Sequence, residues 1–215
     1  ALNDFAQVFD KDELYSMDYQ DMQDKYWAYF SLYAEKNRLR DLLILNTKGE
    51  VIFSAVQSEA YGADIKHVDY IGTGMQAAYK KALWQMDSAI AFSSTATDET
   101  TFAFLAAPVV EETLLGAIIL IPEPAELERL FSIHSHSGQV VNLYSERTGL
   151  GYKPLFSDEI IDRTSSLGKR LSGAMLGTDF DGEIDFWEGD WLVSIRSVPI
   201  LQSVLVQRRD KDIVL

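Results

Sequence analysis

Hydrophobic positions recur at two different spacings along this chain, and the two spacings separate helices from strands. Near the N-terminus the apolar steps are three and four, which places the residues on one face of an α-helix. These positions are Tyr15, Tyr19, Met22, Tyr26, Tyr29 and Tyr33. Residues 4–40 contain no glycine or proline. We therefore predict a helix over most of this span, with the aromatic stripe as its packing face.

Residues 41–54 change to the pattern of a β-hairpin. Four apolar residues, 42–45, are followed by a polar turn, 46–49, and then by the apolar segment 51–53. Gly49 can adopt the positive φ that a tight turn requires, and branched or aromatic residues favour strands on both sides of it. We predict that this hairpin opens the first of two small sheets.

After the hairpin, the pattern is that of one helix followed by three strands. Residues 55–70 are irregular, and residues 75–84 predict a short helix. Strands are predicted at residues 89–94, 101–110 and 114–121. Residues 111–113 alone join the last two strands, which is short enough only for a hairpin. A hairpin, a helix and a three-strand meander, in this order, predict a PAS-like fold, in which helices cover an antiparallel sheet.

The second half of the chain repeats this order of elements. Helices are predicted at residues 125–131 and 158–176. Strands are predicted at residues 139–144, 151–156, 183–187, 191–200 and 203–209. Pro108 and Pro199 occupy matching places in the two halves. The predicted fold class is α+β, with a long N-terminal helix and two PAS-like modules at residues 1–40, 41–132 and 133–215.

The composition narrows the classes of function. With 33 acidic and 19 basic side chains the net charge is -14. Such a surface repels phosphate groups, so nucleic acids and anionic membrane surfaces are not expected partners. Cysteine is absent, which excludes disulfides, thiolate catalysis and cysteine-based zinc sites. The longest apolar runs, 102–110 and 114–121, are shorter than the roughly 20 residues of a spanning helix. Both ends of the sequence fall inside regular elements, so we expect a piece trimmed of its membrane segments.

Four stretches of the first half carry a family resemblance. They are DLLILNTKGEVIFS (41–54), YGADI (61–65), FSS (92–94) and AFLAAPV (103–109). They resemble motifs of the double-Cache sensor domains of bacterial chemoreceptors and related signalling proteins. The similarity covers residues 20–130, and the second half is matched mainly by element order.

The chain departs from the family pattern in three places. Leu39 and Arg40 stand where an aromatic pair is usual, and Asp64 stands where asparagine is usual. The Arg-x-Trp-Tyr signature of amino-acid-binding members is absent after the first hairpin. An α-amino acid is therefore not the predicted ligand.

The resemblance implies a function as well as a fold. A double-Cache domain is the periplasmic, non-enzymatic part of a transmembrane receptor such as a chemoreceptor, a sensor kinase or a cyclase. A small molecule binds its membrane-distal module, here residues 41–132. A ligand signals only through its different affinities for two arrangements of the domain. No cofactor is implied. We also expect a homodimer formed through the N-terminal helix, and a full-length protein anchored in the inner membrane.

The ligand is expected between the sheet face and the irregular link after the hairpin. Pockets of this kind have apolar walls and a few polar groups. The candidate residues are Ser54, Tyr61, Asp64, His67, Tyr70, Phe92, Ser94 and Phe104. For each of them the alternative to ligand contact is that the side chain packs in the core or lies on the solvated surface. Asp64 and the acidic composition favour a cationic or amine-bearing ligand.

Other motifs indicate no further chemistry. His134 and His136 would share one face of a strand, as zinc ligands do, but the sequence supplies no third ligand nearby. Residues 179–185 resemble a calcium loop without its spaced oxygen ligands. Gly72 and Gly74 lack the rest of a phosphate-binding loop. We predict no metal site.

Two other functions are kept as alternatives. The first is an interaction module that binds no small molecule and dimerises through the long helix. The second is an acidic hydrolase, although no nucleophile elbow or Ser-His-Asp set is visible. Paired carboxylates are expected by chance in a chain this acidic.

Overall fold

The fold is known from a computed structural model, which describes residues 17–70, 73–94, 101–133, 139–147, 151–154, 161–162, 164–176, 183–198 and 203–214. It is an α+β fold in which an N-terminal helix precedes two antiparallel sheets. The chain divides into two compact units, Ala1–Glu126 and Leu127–Leu215, and each unit contains one sheet. The domain boundaries expected after residues 40 and 132 stay a prediction.

The first unit has a five-stranded sheet with a helix packed on each face. Its elements are α1 (Met17–Lys36), β1 (Leu39–Asn46), β2 (Val51–Ser54), α2 (Gly74–Gln85), β3 (Ala89–Ser94), β4 (Thr101–Val110) and β5 (Leu114–Pro122). The strand order is β2-β1-β5-β4-β3, and every neighbouring pair is antiparallel. The predicted hairpin, helix and three-strand meander are all present.

Residues 42–45 of strand β1 form a continuous apolar run because the strand is buried on both faces of the sheet. Its successive side chains point to opposite faces of the sheet. Leu43 and Leu45 belong to the core beneath α2, whereas Leu42 and Ile44 belong to the core beneath α1. Because both faces are covered, no position of this run can be polar.

The turn between β1 and β2 is held by one side chain. Asn46 Oδ1 accepts hydrogen bonds from the amides of Lys48 (3.0 Å) and Glu50 (2.9 Å). Gly49 has a φ of 90°, as the sequence predicted for a tight turn. These bonds fix the register of the hairpin from its closed end.

Helix α1 ends earlier than the sequence predicts. At 1.5 Å per residue its 20 described residues span about 30 Å; residues 1–16 lie outside the described part of the chain. Arg38 adopts a φ of 51°, the left-handed conformation that often ends helices. Leu39 and Arg40 belong to β1, where Leu39 pairs with Pro122. The prediction of helix over these two residues is wrong because strand pairing with β5 replaces the helical bonds.

The aromatic stripe of α1 is divided between core and surface. Tyr19 and Phe30 are buried, and the Phe30 ring lies 5.3 Å from the ring of Phe53 in β2. Tyr29 and Tyr33 are 62% and 41% exposed. The prediction of one packing face is therefore wrong for Tyr29 and Tyr33, which flank the buried face of the helix.

The second unit repeats the strand order of the first. Its elements are α3 (Pro124–Ile133, which crosses the division between the units), β6 (Gln139–Arg147), β7 (Gly151–Pro154), α4 (Ser166–Leu176), β8 (Glu183–Glu188), β9 (Trp191–Val198), β10 (Ser203–Asp210) and α5 (Lys211–Val214). The order β7-β6-β10-β9-β8 matches that of the first sheet strand for strand. Leu167 and Leu171 of α4 pack on Val193, Ile195 and Val206 of this sheet.

Helix α4 begins later than predicted. Asp162 Oδ1 accepts hydrogen bonds from the amide (2.6 Å) and the hydroxyl (2.7 Å) of Thr164, which form a turn. Ser165 Oγ accepts from the Gly168 amide at 2.9 Å and so caps a helix that starts at Ser166. The prediction of helix from residue 158 is wrong for the described residues before Ser166, because these polar side chains bind the backbone locally.

No helix in the described ranges is both long and apolar enough to cross a bilayer.

Candidate ligand site

The first unit contains an open cleft of about 490 Å³ at one end of its sheet. The cleft lies where β1 and β4 begin and β5 ends, beside the segment that follows β2. Its lining residues are Arg40, Asp41, Val56, Ser58, Phe102, Phe104, Ile121 and Glu123. A volume of this size is typical of sites for small molecules.

The strand register brings the lining residues together. Asp41 of β1 lies opposite Ile121 of β5. Phe102 and Phe104 are two residues apart in β4, so their rings lie on the same face of the sheet. Phe104 also packs against the core beneath α2. The cleft therefore opens on the α2 face of the sheet.

The rim of the cleft carries charges of both signs. The Arg40 guanidinium lies 4.8 Å from the centre of the Phe102 ring, a cation–π contact that presents the cation beside an apolar wall. Glu123 is exposed on the same rim, and its amide donates to the Arg38 carbonyl at 3.0 Å. The cleft thus offers an apolar floor, one cation and one exposed carboxylate.

Asp41 is a buried carboxylate at the base of the cleft, with 2% of its surface exposed. Its Oδ2 atom accepts from the hydroxyls of Ser54 (2.8 Å) and Ser58 (2.6 Å). Its Oδ1 atom accepts from the Leu42 amide at 2.7 Å and, at a longer 3.4 Å, from the Val56 amide. These donors offset the cost of burying the charge. They also hold the residues after β2 against β1.

Two of the residues predicted from sequence belong to this site. Phe104 lines the cleft, and Ser54 lies behind its wall as a partner of Asp41. Phe92 lies opposite Ala103, whereas Phe104 lies opposite Ala91, so Phe92 is on the other face of the sheet. The backbone of Ser94 pairs with Thr101, and its side chain is outside the described part of the chain.

The four candidates from the link lie away from this cleft. Tyr61 packs on the α1 face of the sheet, where its hydroxyl donates to that of Tyr19 at 3.4 Å. Asp64 pairs with Glu50 at the hairpin turn, which is the opposite end of β1. The His67 side chain is exposed, and its Nδ1 atom lies 3.1 Å from Oδ2 of Asp69. Tyr70 is half-buried against the core beneath α2.

The charge of Asp64 influences a buried tyrosine, Tyr79. Burial, and secondarily the negative charge of Asp64, raise the pKa of Tyr79 to about 12. The Tyr79 hydroxyl donates to the Asn46 carbonyl at 2.7 Å. This bond ties α2 to the hairpin turn.

The sequence prediction missed most of the cleft. The sequence predicts Arg40 at the end of a helix, whereas it lies in strand β1. Asp41 carried a usable signal, since a charged residue directly before a fully buried strand requires hydrogen-bond donors. Ser54 and Ser58, at the end of β2 and just beyond it, supply them.

Metal ligation has no support in the described ranges, which contain no cluster of three or more His, Asp or Glu side chains suited to an ion. The spaced histidines His134 and His136 lie outside the described residues. The acidic segment 179–185 is described only from Glu183 onward, as part of β8.

Comparison with known proteins identifies the fold. No protein-family model matches the sequence, and no match is found among curated proteins. The sensor domain of the V. cholerae histidine kinase DctB is similar with a TM-score of 0.56 at 14% identity, covering 98% of this chain and 90% of that one. The ligand-binding domain of the Campylobacter jejuni chemoreceptor Tlp3, in complex with 4-methylisoleucine, is similar with a TM-score of 0.56 at 12% identity. The match covers 99% of this chain and 80% of that one.

A third similar structure is the periplasmic domain of RsbU from Chlamydia trachomatis, with a TM-score of 0.51 at 9% identity, covering 88% of this chain and 76% of that one. This chain has the fold of an extracytoplasmic sensor domain. The resemblance to Cache-type sensor domains is therefore confirmed at the level of the fold. These similar structures are a sensor domain and a ligand-binding domain.

Proposed function

We propose that this chain is the extracytoplasmic ligand-sensing domain of a transmembrane signal-transduction receptor. The downstream part would be a chemoreceptor, sensor-kinase or cyclase output. The observation that carries this proposal is the cleft on the first sheet, with its apolar walls and few charged groups. The fold supports the proposal, because the similar Tlp3 domain binds a small molecule, 4-methylisoleucine.

The ligand is assigned to the first unit, which we equate with the membrane-distal module. Candidate contacts are Arg40, Val56, Ser58, Phe102, Phe104 and Glu123. We propose an amine-bearing ligand, because Glu123 is the exposed carboxylate of the rim. The net charge of -14 attracts cations to the domain as a whole.

A thermal-shift screen of amines, carboxylates and amino acids tests this function. A ligand that binds only the folded domain stabilises it by RT ln(1 + [L]/Kd), so its melting temperature rises with the ligand concentration. We expect an amine to be among the hits. Glu123→Gln should weaken that hit at least fivefold, while the matched control Glu112→Gln, exposed in the turn between β4 and β5, should not. A hit that is insensitive to both substitutions would place the ligand outside this cleft.

The second candidate function is an interaction module that dimerises without a ligand. It is favoured by three large apolar side chains that lie on one side of the described part of α1 and are 41–62% exposed, namely Tyr29, Leu32 and Tyr33. We propose a homodimer through this face in either case, and a full-length protein anchored in the inner membrane. A complete absence of hits, together with a stable dimer, would favour the second function.

A further inference from the structure

The last residue of β2 and the four residues after it connect the cleft to helix α1. We call residues 54–58 the 54–58 segment. On one side, the side chains of Val56 and Ser58 line the cleft. On the other side, the Ala55 carbonyl accepts a hydrogen bond from Ser31 Oγ of α1 at 2.8 Å. The segment therefore contacts the cleft through Val56 and Ser58 and the N-terminal helix through Ala55.

The 54–58 segment keeps its conformation through Asp41. Gln57 has a φ of 54°, a left-handed conformation that non-glycine residues rarely adopt. Ser54 Oγ accepts from the Ser58 amide at 2.9 Å, and the hydroxyls of Ser54 and Ser58 both donate to Asp41. A turn of this kind persists only when its surroundings hold it in place.

Of the two hydroxyl groups that donate to Asp41, that of Ser58 is the one a ligand in the cleft can reach. Ser58 is half-buried and lines the cleft, while Ser54 is fully buried. A ligand in the cleft therefore reaches the Ser58 hydroxyl directly. If the Ser58 hydroxyl donates to a ligand instead of to Asp41, the segment loses one of the hydrogen bonds that hold it. The hydrogen bond from Ser31 to the Ala55 carbonyl is then affected as well.

We propose that Asp41 is a positioning residue that holds the 54–58 segment in place, and that this segment transmits occupancy of the cleft to helix α1. The inference rests on the proposed function, since it takes the cleft as the ligand site. A ligand can act in this way only by binding the two arrangements of the segment unequally.

Hydrogen–deuterium exchange of the whole chain tests this connection without a ligand. Exchange rates report the local opening equilibrium of each segment. Ser58→Ala removes a bond on the cleft side alone, and we expect at least threefold faster exchange in the 54–58 segment and also in the C-terminal half of α1. Ser31→Ala should reciprocally accelerate exchange in the 54–58 segment, although Ser31 does not line the cleft.

Two controls separate this coupling from general destabilisation. Ser58→Thr keeps the hydroxyl and should exchange like the wild type. Thr73→Ala removes the N-cap of α2, whose Oγ1 atom accepts from the Gln76 amide at 3.3 Å, and should accelerate exchange in α2 without affecting α1. Acceleration confined to the 54–58 segment in Ser58→Ala, or an equal effect of Thr73→Ala on α1, overturns the inference. Either result leaves a cleft ligand found by thermal shift untouched, so the two proposals fail separately.

Discussion

At the scale of single residues, the first sheet has one position that admits no side chain. Gly116 in β5 lies opposite Asn46 of β1 and has a φ of 152°. A Cβ atom built there would lie 2.0 Å from the Leu45 carbonyl oxygen. Because the obstacle is backbone in the middle of a sheet, it cannot move aside without breaking strand pairing.

We predict that Gly116→Ala lowers the free energy of unfolding by about 3 kcal/mol or more, since it combines overpacking with backbone strain. Urea denaturation followed by circular dichroism measures the change. Gly173→Ala is the control: apart from its chain neighbours and the backbone of its own helix turn, no atom lies within 4 Å of its Cβ position in α4, and alanine favours a helix over glycine by about 1 kcal/mol. Equal stability of Gly116→Ala and the wild type would show that β1 and β5 do not approach this closely.

Because of Tyr79, the free energy of unfolding depends on pH in the alkaline range. Its pKa is raised to about 12 in the folded chain from an ordinary 10.0, so the folded state retains the proton between these values while the unfolded state loses it. The stability contributed by the neutral hydroxyl is complete below pH 10 and is lost as the pH rises towards 12.

We predict that Tyr79→Phe is less stable than the wild type at pH 9 by about 1 kcal/mol, because it loses the bond to the Asn46 carbonyl. At pH 11 the difference should shrink, since ionisation now favours the unfolded wild type. Urea titrations of both proteins at the two pH values provide the measurement, and effects of the other tyrosines cancel in the comparison. A difference that is independent of pH would contradict the assignment.

At the scale of elements, the sequence predicted the strands better than the ends of helices. The bounds of β3 and β4 agree with the prediction because alternation and apolar content are local properties. The end of α1 and the start of α4 depend on pairing with β5 and on hydrogen bonds made by Asp162 and Ser165, which periodicity does not encode. The cleft was missed for the same reason: Arg40, Phe102 and Glu123 meet only after β1, β4 and β5 are paired.

The start of α4 can be tested directly. Ser165→Ala should lower the free energy of unfolding by about 1 kcal/mol, since it removes the acceptor of the Gly168 amide. Ser172→Ala, inside the same helix, should be neutral or slightly stabilising because alanine has the higher helix propensity. Chemical denaturation of the two variants compares them. Equal effects would show that Ser165 does not cap the helix.

At the scale of the whole molecule, the exposed side of α1 is the surface proposed for dimerisation. We predict that Leu32→Glu lowers the mass measured by light scattering at high concentration from that of two chains to that of one, because a buried carboxylate would be unpaired at the interface. Trp84→Glu is the matched control, since Trp84 is 90% exposed on α2 of the same unit and should leave the mass unchanged. A wild-type mass of one chain contradicts the dimer.

The central claim is that the cleft at the end of the first sheet holds a small molecule. A crystal structure of the domain with the strongest ligand from the thermal-shift screen tests it most directly. We predict that the ligand contacts Phe104 and Ile121, with a polar group within hydrogen-bond distance of Glu123 or Ser58. A ligand bound elsewhere, with this cleft unoccupied in the same crystal, would contradict the claim.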